Sequence, residues 1–340
     1  MTNDVILVTG GAGYVGSHTC LALQQAGYQP VVYDDLSRGY RWAVRFGPLE
    51  EGNILDTRRL IDAIVRHRPA AIIHFAALTY VGESVLDPAL YYRNNIAGTL
   101  SILEAMRETN LNTIVFSSTA AVYGTPSLSL ISEDAALLPI NPYGATKLAV
   151  ERMLADFVQA YGFRAAALRY FNAAGADPEA RIGEAHDPET HLIPLVLGAA
   201  AGHRKTISIF GSDYPTPDGT CIRDYIHVLD LADAHIRALT YMKATADAKF
   251  LALNLGTGQG TSVREVIDSA QLVTGRHIPL DLTARREGDP AILVADPSRA
   301  KKVLGWSAVR PSLETQIRDA WRWYQARFDS DSRATLLGTK

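Results

Sequence analysis

Cysteine is nearly absent: Cys20 and Cys221 are the only two in 340 residues, and they lie far apart. They make neither a redox pair nor a metal-ligand spacing, so reduced thiols are the expected state. An excess of either charge is also missing. Lys and Arg number 33 against 36 Asp and Glu, and the net charge of −3 is spread with both signs interspersed. A chain of that kind lacks the basic footprint of a nucleic-acid or anionic-lipid binder. Long apolar runs are lacking too: the longest, near Leu192–Ala201, is too short to cross a bilayer. No signal-peptide pattern precedes the first strand-like run. A soluble, cytoplasmic protein is therefore expected, with no nucleic-acid or membrane partner. There is no internal repeat or low-complexity linker, and the polar tail 329–340 is expected to be disordered.

What is present is ordinary for a globular chain. Hydrophobic residues make up 47% and charged residues 20%, enough for a sizeable core in one large domain or two. Asp4–Thr9 is a short apolar run rich in β-branched residues, the mark of a buried parallel strand. It ends in Gly10-Gly-Ala-Gly13-Tyr-Val-Gly16, and a helical pattern follows through Ala26. Glycine at such a turn lets the backbone approach a pyrophosphate, which then sits on the amides of the helix N-terminus. A second strand, Pro30–Tyr33, leads to Asp34. That is about 20 residues past the glycines, where a carboxylate binds the adenosine ribose and repels a 2′-phosphate. NAD is thus expected over NADP, with nearby Arg38 read as a solvated loop residue.

Further strand-like runs at Ala71–Phe75, Asn112–Ser117 and Arg164–Arg169 alternate with helical patterns at about 57–67, 91–108 and 143–161. The alternation predicts an α/β fold with a doubly wound, Rossmann-like parallel sheet and ligands at the carboxyl ends of its strands. After about residue 175 the pattern loosens. Loop segments 177–188 and 212–220 separate a helix at 193–201, a strand at 206–210 and helices at 262–274 and 312–327. We therefore expect an NAD-binding domain over 1–175, with parts of about 222–260 returning to it. A smaller mixed α/β substrate domain is expected over 176–328.

Pro142-Tyr-Gly-Ala-Thr-Lys147 sets a phenol and an ammonium four residues apart, after a Pro suited to a helix start. On a helix those two share a face. A neighbouring cation is expected to lower the phenol from its usual pKa near ~10, making Tyr143 a proton acceptor.

Three stretches together resemble the extended short-chain dehydrogenase/reductases: Thr9–Gly16, Ser117-Ser-Thr-Ala-Ala-Val-Tyr-Gly124 and Asn141-Pro-Tyr-Gly-Ala-Thr-Lys147. Four more narrow the likeness: Val81-Gly-Glu-Ser84, Arg169-Tyr-Phe-Asn172, Thr220-Cys-Ile-Arg-Asp-Tyr-Ile-His-Val228 and Arg285-Arg-Glu-Gly-Asp289. From about residue 4 to 325 the chain resembles the UDP-glucose 4-epimerase family. The resemblance implies an isomerase in which Tyr143 takes the proton of the sugar 4-hydroxyl while NAD takes, and later returns, the C4 hydride. It implies Lys147 on the nicotinamide ribose, and on O4 Thr119, where the family usually has Ser. Implied NAD contacts are Gly10, Gly13, Tyr14, Val15, Gly16, Asp34, Asn53, Ile54, Phe75, Ala76, Ala77, Asn94, Lys147 and Phe171. Asn172, His191, Phe210, Arg223, Arg286 and Asp289 would join Thr119 and Tyr143 around the UDP-sugar, Arg being suited to a pyrophosphate. A homodimer is implied as well, through helices 91–108 and 143–161 and their apolar Ile96, Leu100, Leu103, Met106, Leu148, Met153, Phe157 and Val158. No metal is implied, and the histidines show no metal-ligand arrangement.

The chain departs from the family pattern in places. Thr79 stands where a Lys is common and Asn53 where an Asp is common, which would loosen NAD. Leu293 lies where a Tyr or a smaller residue limits bulk at the sugar 2-position. Related dehydratases follow Thr119 with an acidic pair and decarboxylases with a Glu, whereas this chain has Ala120 and Ala121. Alanine carries no proton to give, so elimination lacks its acid. UDP-glucose and UDP-galactose are the expected pair, with UDP-xylose/arabinose and UDP-N-acetylglucosamine open beside them. A non-catalytic NAD-binding regulator would usually have lost Tyr143 or Lys147, and both are present.

Overall fold

The computed structural model describes residues 3–126, 130–245, 249–286 and 289–328; the tail from 329 lies outside them. Six strands of the central sheet come early in the chain: β1 Val5–Thr9, β2 Gln29–Asp34, β3 Leu49–Glu51, β4 Ala71–His74, β5 Thr113–Thr119 and β6 Arg164–Tyr170. A seventh, Leu251–Leu255, joins from much further on. All are parallel, in the order Leu251–Leu255, β6, β5, β4, β1, β2, β3. The doubly wound sheet expected from the sequence is therefore present. The winding reverses between β1 and β4, which opens a crevice at their carboxyl ends.

The strands read as continuous apolar runs because both faces are covered. Ile6, Val8, Ile73 and Val115 face one core with the Tyr14–Gln25 and Val228–Ala244 helices. Their neighbours Leu7, Ile72 and Ile114 face a second core with Thr57–His67, Gly98–Glu108 and Pro142–Tyr161. Local signals set the helix ends. Asn141 accepts a hydrogen bond from Gly144 N at 2.9 Å, Pro142 opens the helix, and Gly162 closes it at φ +70°.

The 91–108 pattern is not one helix. A short turn Pro88–Tyr91 runs into a π-helical stretch Tyr92–Ala97 before Gly98–Glu108. The buried Asn95 amide lies in that wide stretch, bonded to both backbone groups of Leu78 and to Thr146. Beyond the sheet, helices Leu192–Ala200, Val263–Thr274 and Leu313–Phe328 pack around a third apolar cluster beside short two- and three-stranded sheets. Cys20 and Cys221 are both buried and free. Among the described residues no helix is long and apolar enough to cross a membrane.

Candidate active site

The glycine turn after β1 is dictated by space. Gly10 sits at φ +73°, and a Cβ there would lie 2.5 Å from Ala76 N; one on Gly16 would lie 2.2 Å from Gly10 O. The ends of β1 and β4 can meet only without a side chain at Gly10, and the helix can close on the turn only without one at Gly16. The helix that follows starts at Gly13 with no side-chain cap, leaving its first amides to a ligand. Such a cradle, which side chains would fill, fits a dinucleotide pyrophosphate.

Asp34 closes β2 nearby. Its carboxylate accepts Ala12 N at 3.0 Å and Leu36 N at 2.9 Å, which fixes it while leaving lone pairs free. Burial raises its pKa, and the two backbone bonds oppose that. Arg38 is not simply solvated: it pairs with Glu83 at 2.5 Å and lies over the Tyr80 ring. Asn53 donates to Asp35 at 2.7 Å and accepts Leu55 N, while Ile54 packs under Gly98. Phe75 lies on the His235 ring, Ala76 against Gly10, and Asn94 bonds Asn95. Tyr14 is spent on structure, its hydroxyl donating to Gly175 O at 2.6 Å, and Val15 packs on the first core. Ala77 is half-buried beyond β4, and Phe171 packs against the cluster of Ala120, Val122 and Leu148.

The second group lies at the carboxyl end of β5. Thr119 Oγ1 accepts Ala121 N at 3.2 Å, so its own proton is free to point elsewhere. Tyr143, Lys147 and Glu151 follow one another along one helix face. Lys147, 3% exposed, donates to Ser117 O at 2.8 Å, and its ammonium lies 6.0 Å from the Tyr143 ring centre. Burial pulls that ammonium down to about 7, with Glu151 opposing. For Tyr143, burial pushes the phenol well up, Tyr170 adds to this, and a hydrogen bond with Thr119 pulls it back. The expected lowering of Tyr143 by Lys147 thus needs correcting. Burial dominates both groups and drives the phenol up and the ammonium down.

Glu151, unnoticed in the sequence, anchors the floor of this group. It pairs with Arg169 at 2.5 Å, both nearly fully buried, and accepts Ser118 Oγ at 2.5 Å. Arg169 also donates to Tyr123, which donates to Asn254. The available signal was a Glu one turn beyond Lys147 together with an Arg inside a predicted buried strand. Glu151→Ala should cost about 3–5 kcal/mol, because it strands a buried guanidinium. Urea unfolding measures this, and a loss below about 1 kcal/mol would contradict the pairing.

Four of the residues assigned to the UDP-sugar form a contiguous group. Arg286 stacks 3.8 Å from the Phe210 ring centre, Asp289 N donates to Arg286 O, and Asp289 pairs with Arg223. Arg223 is not paired with Asp224, whose carboxylate accepts from Thr257, Gly258 and Ala295 instead. Asn172 lies opposite Tyr225 in the adjoining strand pair. His191 stands apart from this group. It meets Glu184 at 2.9 Å and Glu189 at 3.1 Å, with the His186 ring 4.9 Å away. One ligand atom from each of Glu184, His186, Glu189 and His191 lies within 4.8 Å of the others, a grouping that the sequence reading did not anticipate. The histidines His74 and His227 are buried structural groups, bonded to Thr9 and Thr99 and to Asp319 and Leu229 N.

A parallel sheet with a glycine turn after its first strand, and a Tyr-x-x-x-Lys helix beside its fifth, is the fold of the extended short-chain dehydrogenase/reductases. Within that class the chain belongs to the NAD dependent epimerase/dehydratase family, whose model matches residues 6–256. It is 53% identical over 324 residues to the UDP-glucose 4-epimerase of Rhizobium leguminosarum bv. trifolii, covering 95% of this chain and 98% of that one. The UDP-glucose 4-epimerase of Brucella ovis, solved in complex with NAD, is 54% identical with a TM-score of 0.92, over 94% of this chain and 98% of that one. A UDP-glucose-4-epimerase from Stenotrophomonas maltophila, solved with NAD and formylated UDP-arabinopyranose, is 41% identical with a TM-score of 0.92. That match covers 97% of this chain and 99% of the other.

Proposed function

We propose that the chain is an NAD-dependent 4-epimerase of UDP-sugars that interconverts UDP-glucose and UDP-galactose in the cytoplasm. The observation that carries this reading is the Thr119–Tyr143–Lys147 group at the end of β5, with Ala120 and Ala121 directly after Thr119. The family contains both epimerases and dehydratases, and a site with no acid after Thr119 supports the former. NAD, when bound, supplies the hydride acceptor and donor for C4.

The chain's own residues do the rest. With the Lys147 ammonium and the positive charge of a bound nicotinamide offsetting burial, Tyr143 would act as the phenolate that takes and returns the 4-hydroxyl proton, and Thr119 directs its hydroxyl at O4. Lys147, fixed on Ser117 O, presents an ammonium beside the phenol and a donor for the nicotinamide ribose. The glycine cradle and Asp34 hold the dinucleotide, so residues 1–175 with parts of about 222–260 form the cofactor half. Residues 176–328 mainly form the UDP-sugar half, where Arg223 and Arg286 supply cations for the diphosphate and Asn172, Phe210 and Asp289 line it. We assign His191 to the Glu184 cluster instead.

The direct test incubates purified protein with UDP-glucose and no added nucleotide, then separates the products. UDP-galactose should appear. A chain that retains NAD yet leaves UDP-glucose, UDP-xylose and UDP-N-acetylglucosamine unchanged would overturn the reading. The sugar bound to the Stenotrophomonas relative is the reason to include a pentose nucleotide.

We also propose a homodimer, on narrower grounds than the sequence offered. Leu103, Met106 and Leu148 are buried within the chain, and Ile96, Met153, Phe157 and Val158 pack on its own core. Among the described residues, the exposed apolar ones on or beside these helices include Leu90, Tyr92, Leu100, Leu138, Ile140 and Tyr161. Light scattering at micromolar concentration should give twice the 37.0 kDa chain mass, and a monomer would refute the assembly.

A further inference from the structure

The cluster Glu184, His186, Glu189 and His191 has no part as a set in the proposed epimerisation. It lies beside the cofactor half, where the Tyr14 and Tyr80 rings present edge-on neighbours to His186 at 6.4 and 6.1 Å. One ligand atom from each of the four lies within 4.8 Å of all the others. The nitrogen–oxygen separations are tighter. His191 Nδ1 is 2.9 Å from Glu184 Oε1 and 3.1 Å from Glu189 Oε1, and His186 Nδ1 is 3.3 Å from Glu184 Oε1 and 3.5 Å from the other Glu189 oxygen, Oε2. Around a tetrahedral zinc with bonds of about 2.0–2.1 Å, neighbouring ligand atoms are about 3.3–3.5 Å apart.

A simple ion-pair cluster accounts for His191, which bonds Glu189. It accounts less fully for His186, whose buried Nδ1 pairs with both carboxylates at 3.3 and 3.5 Å but makes no hydrogen bond to either. Two imidazoles and two carboxylates gathered this closely offer the donor set of a metal site. The loop is also anchored from outside, because Trp323 Nε1 donates to Glu184 O at 3.0 Å.

We propose that Glu184, His186, Glu189 and His191 form a mononuclear site for a divalent transition-metal ion of the zinc class. Two imidazole nitrogens and two carboxylate oxygens suit zinc, whereas calcium and magnesium prefer oxygen-only shells of higher coordination number. Bound there, the ion would tie both ends of the 184–191 loop together next to the helix at Tyr14.

The test uses the full chain, stripped with EDTA, dialysed, and titrated calorimetrically with zinc chloride alone. One ion per chain is expected, together with a rise in Tm on zinc addition that EDTA reverses. In His186→Ala, and separately in the more exposed His191→Ala, affinity should fall on the order of 100-fold or more. Magnesium chloride should produce no comparable shift. Absent or substoichiometric binding, unchanged affinity in both folded variants, or an equal response to magnesium would each overturn the proposal.

Discussion

Turnover should fall by roughly 10²–10⁴-fold in Tyr143→Phe, the usual span of a general-base contribution, while the UDP-sugar still binds. The substitution removes one hydroxyl from a half-buried ring and leaves the helix start at Asn141 and Pro142 untouched. The cost to folding should be small, since burial already holds the phenol in its neutral form and its hydrogen bond is to the Thr119 side chain. Thr119→Ala should cost less, because it removes a bond to O4 and not the proton acceptor. Steady-state rates with calorimetric UDP-sugar binding separate these outcomes. A Tyr143→Phe chain within about threefold of the native rate would leave no role for the phenol.

Lys147→Met should be at least as severe for turnover and should also weaken NAD retention, yet it should not weaken the fold. The reason is electrostatic. Lys147 is an ammonium buried to 3% exposure, and burial has pulled it down to about 7, against an unfolded value near ~10.4. Between those values the unfolded chain holds a proton that the folded chain has released, so this residue makes native stability rise with pH. Below about 7 both states are protonated, and the burial penalty is felt in full. Methionine keeps the aliphatic length without the charge. The variant should therefore match or exceed native stability at pH 7 and lose this part of the pH dependence. Urea titrations at pH 6.5, 8 and 9.5, alongside rate and bound-NAD measurements, read all three effects. A variant clearly less stable than native at pH 7 would contradict the account of Lys147.

The parts of this molecule that were legible beforehand are those written in local pattern. β1, the glycine turn, Asp34 and the Pro142 helix each carry their cause within a few residues: apolar runs, a backbone that tolerates no Cβ, a cap followed by Pro. The parts that were missed depend on distant partners. Leu251–Leu255 did not read as a sheet strand because Asn254 interrupts it, and that Asn is buried only because Tyr123, Ile131 and Glu133 satisfy it. The π-helical stretch at Tyr92–Ala97 hides in a helical pattern because its cause, the Asn95 bonds to Leu78 and Thr146, lies outside the segment. Glu151 and the Glu184–His191 cluster were invisible for the same reason. The direction of the Tyr143 shift was misjudged because sequence spacing reveals a neighbouring cation but not the depth at which both groups are buried.

The central claim is that the chain removes a hydride from C4 and puts the same one back without releasing it. UDP-glucose carrying deuterium at C4, incubated with purified protein and no free nucleotide, tests this directly. The account predicts UDP-galactose with the deuterium still at C4. Epimerised product in which that deuterium has been replaced by solvent hydrogen, or no product until free NAD is added, would contradict it.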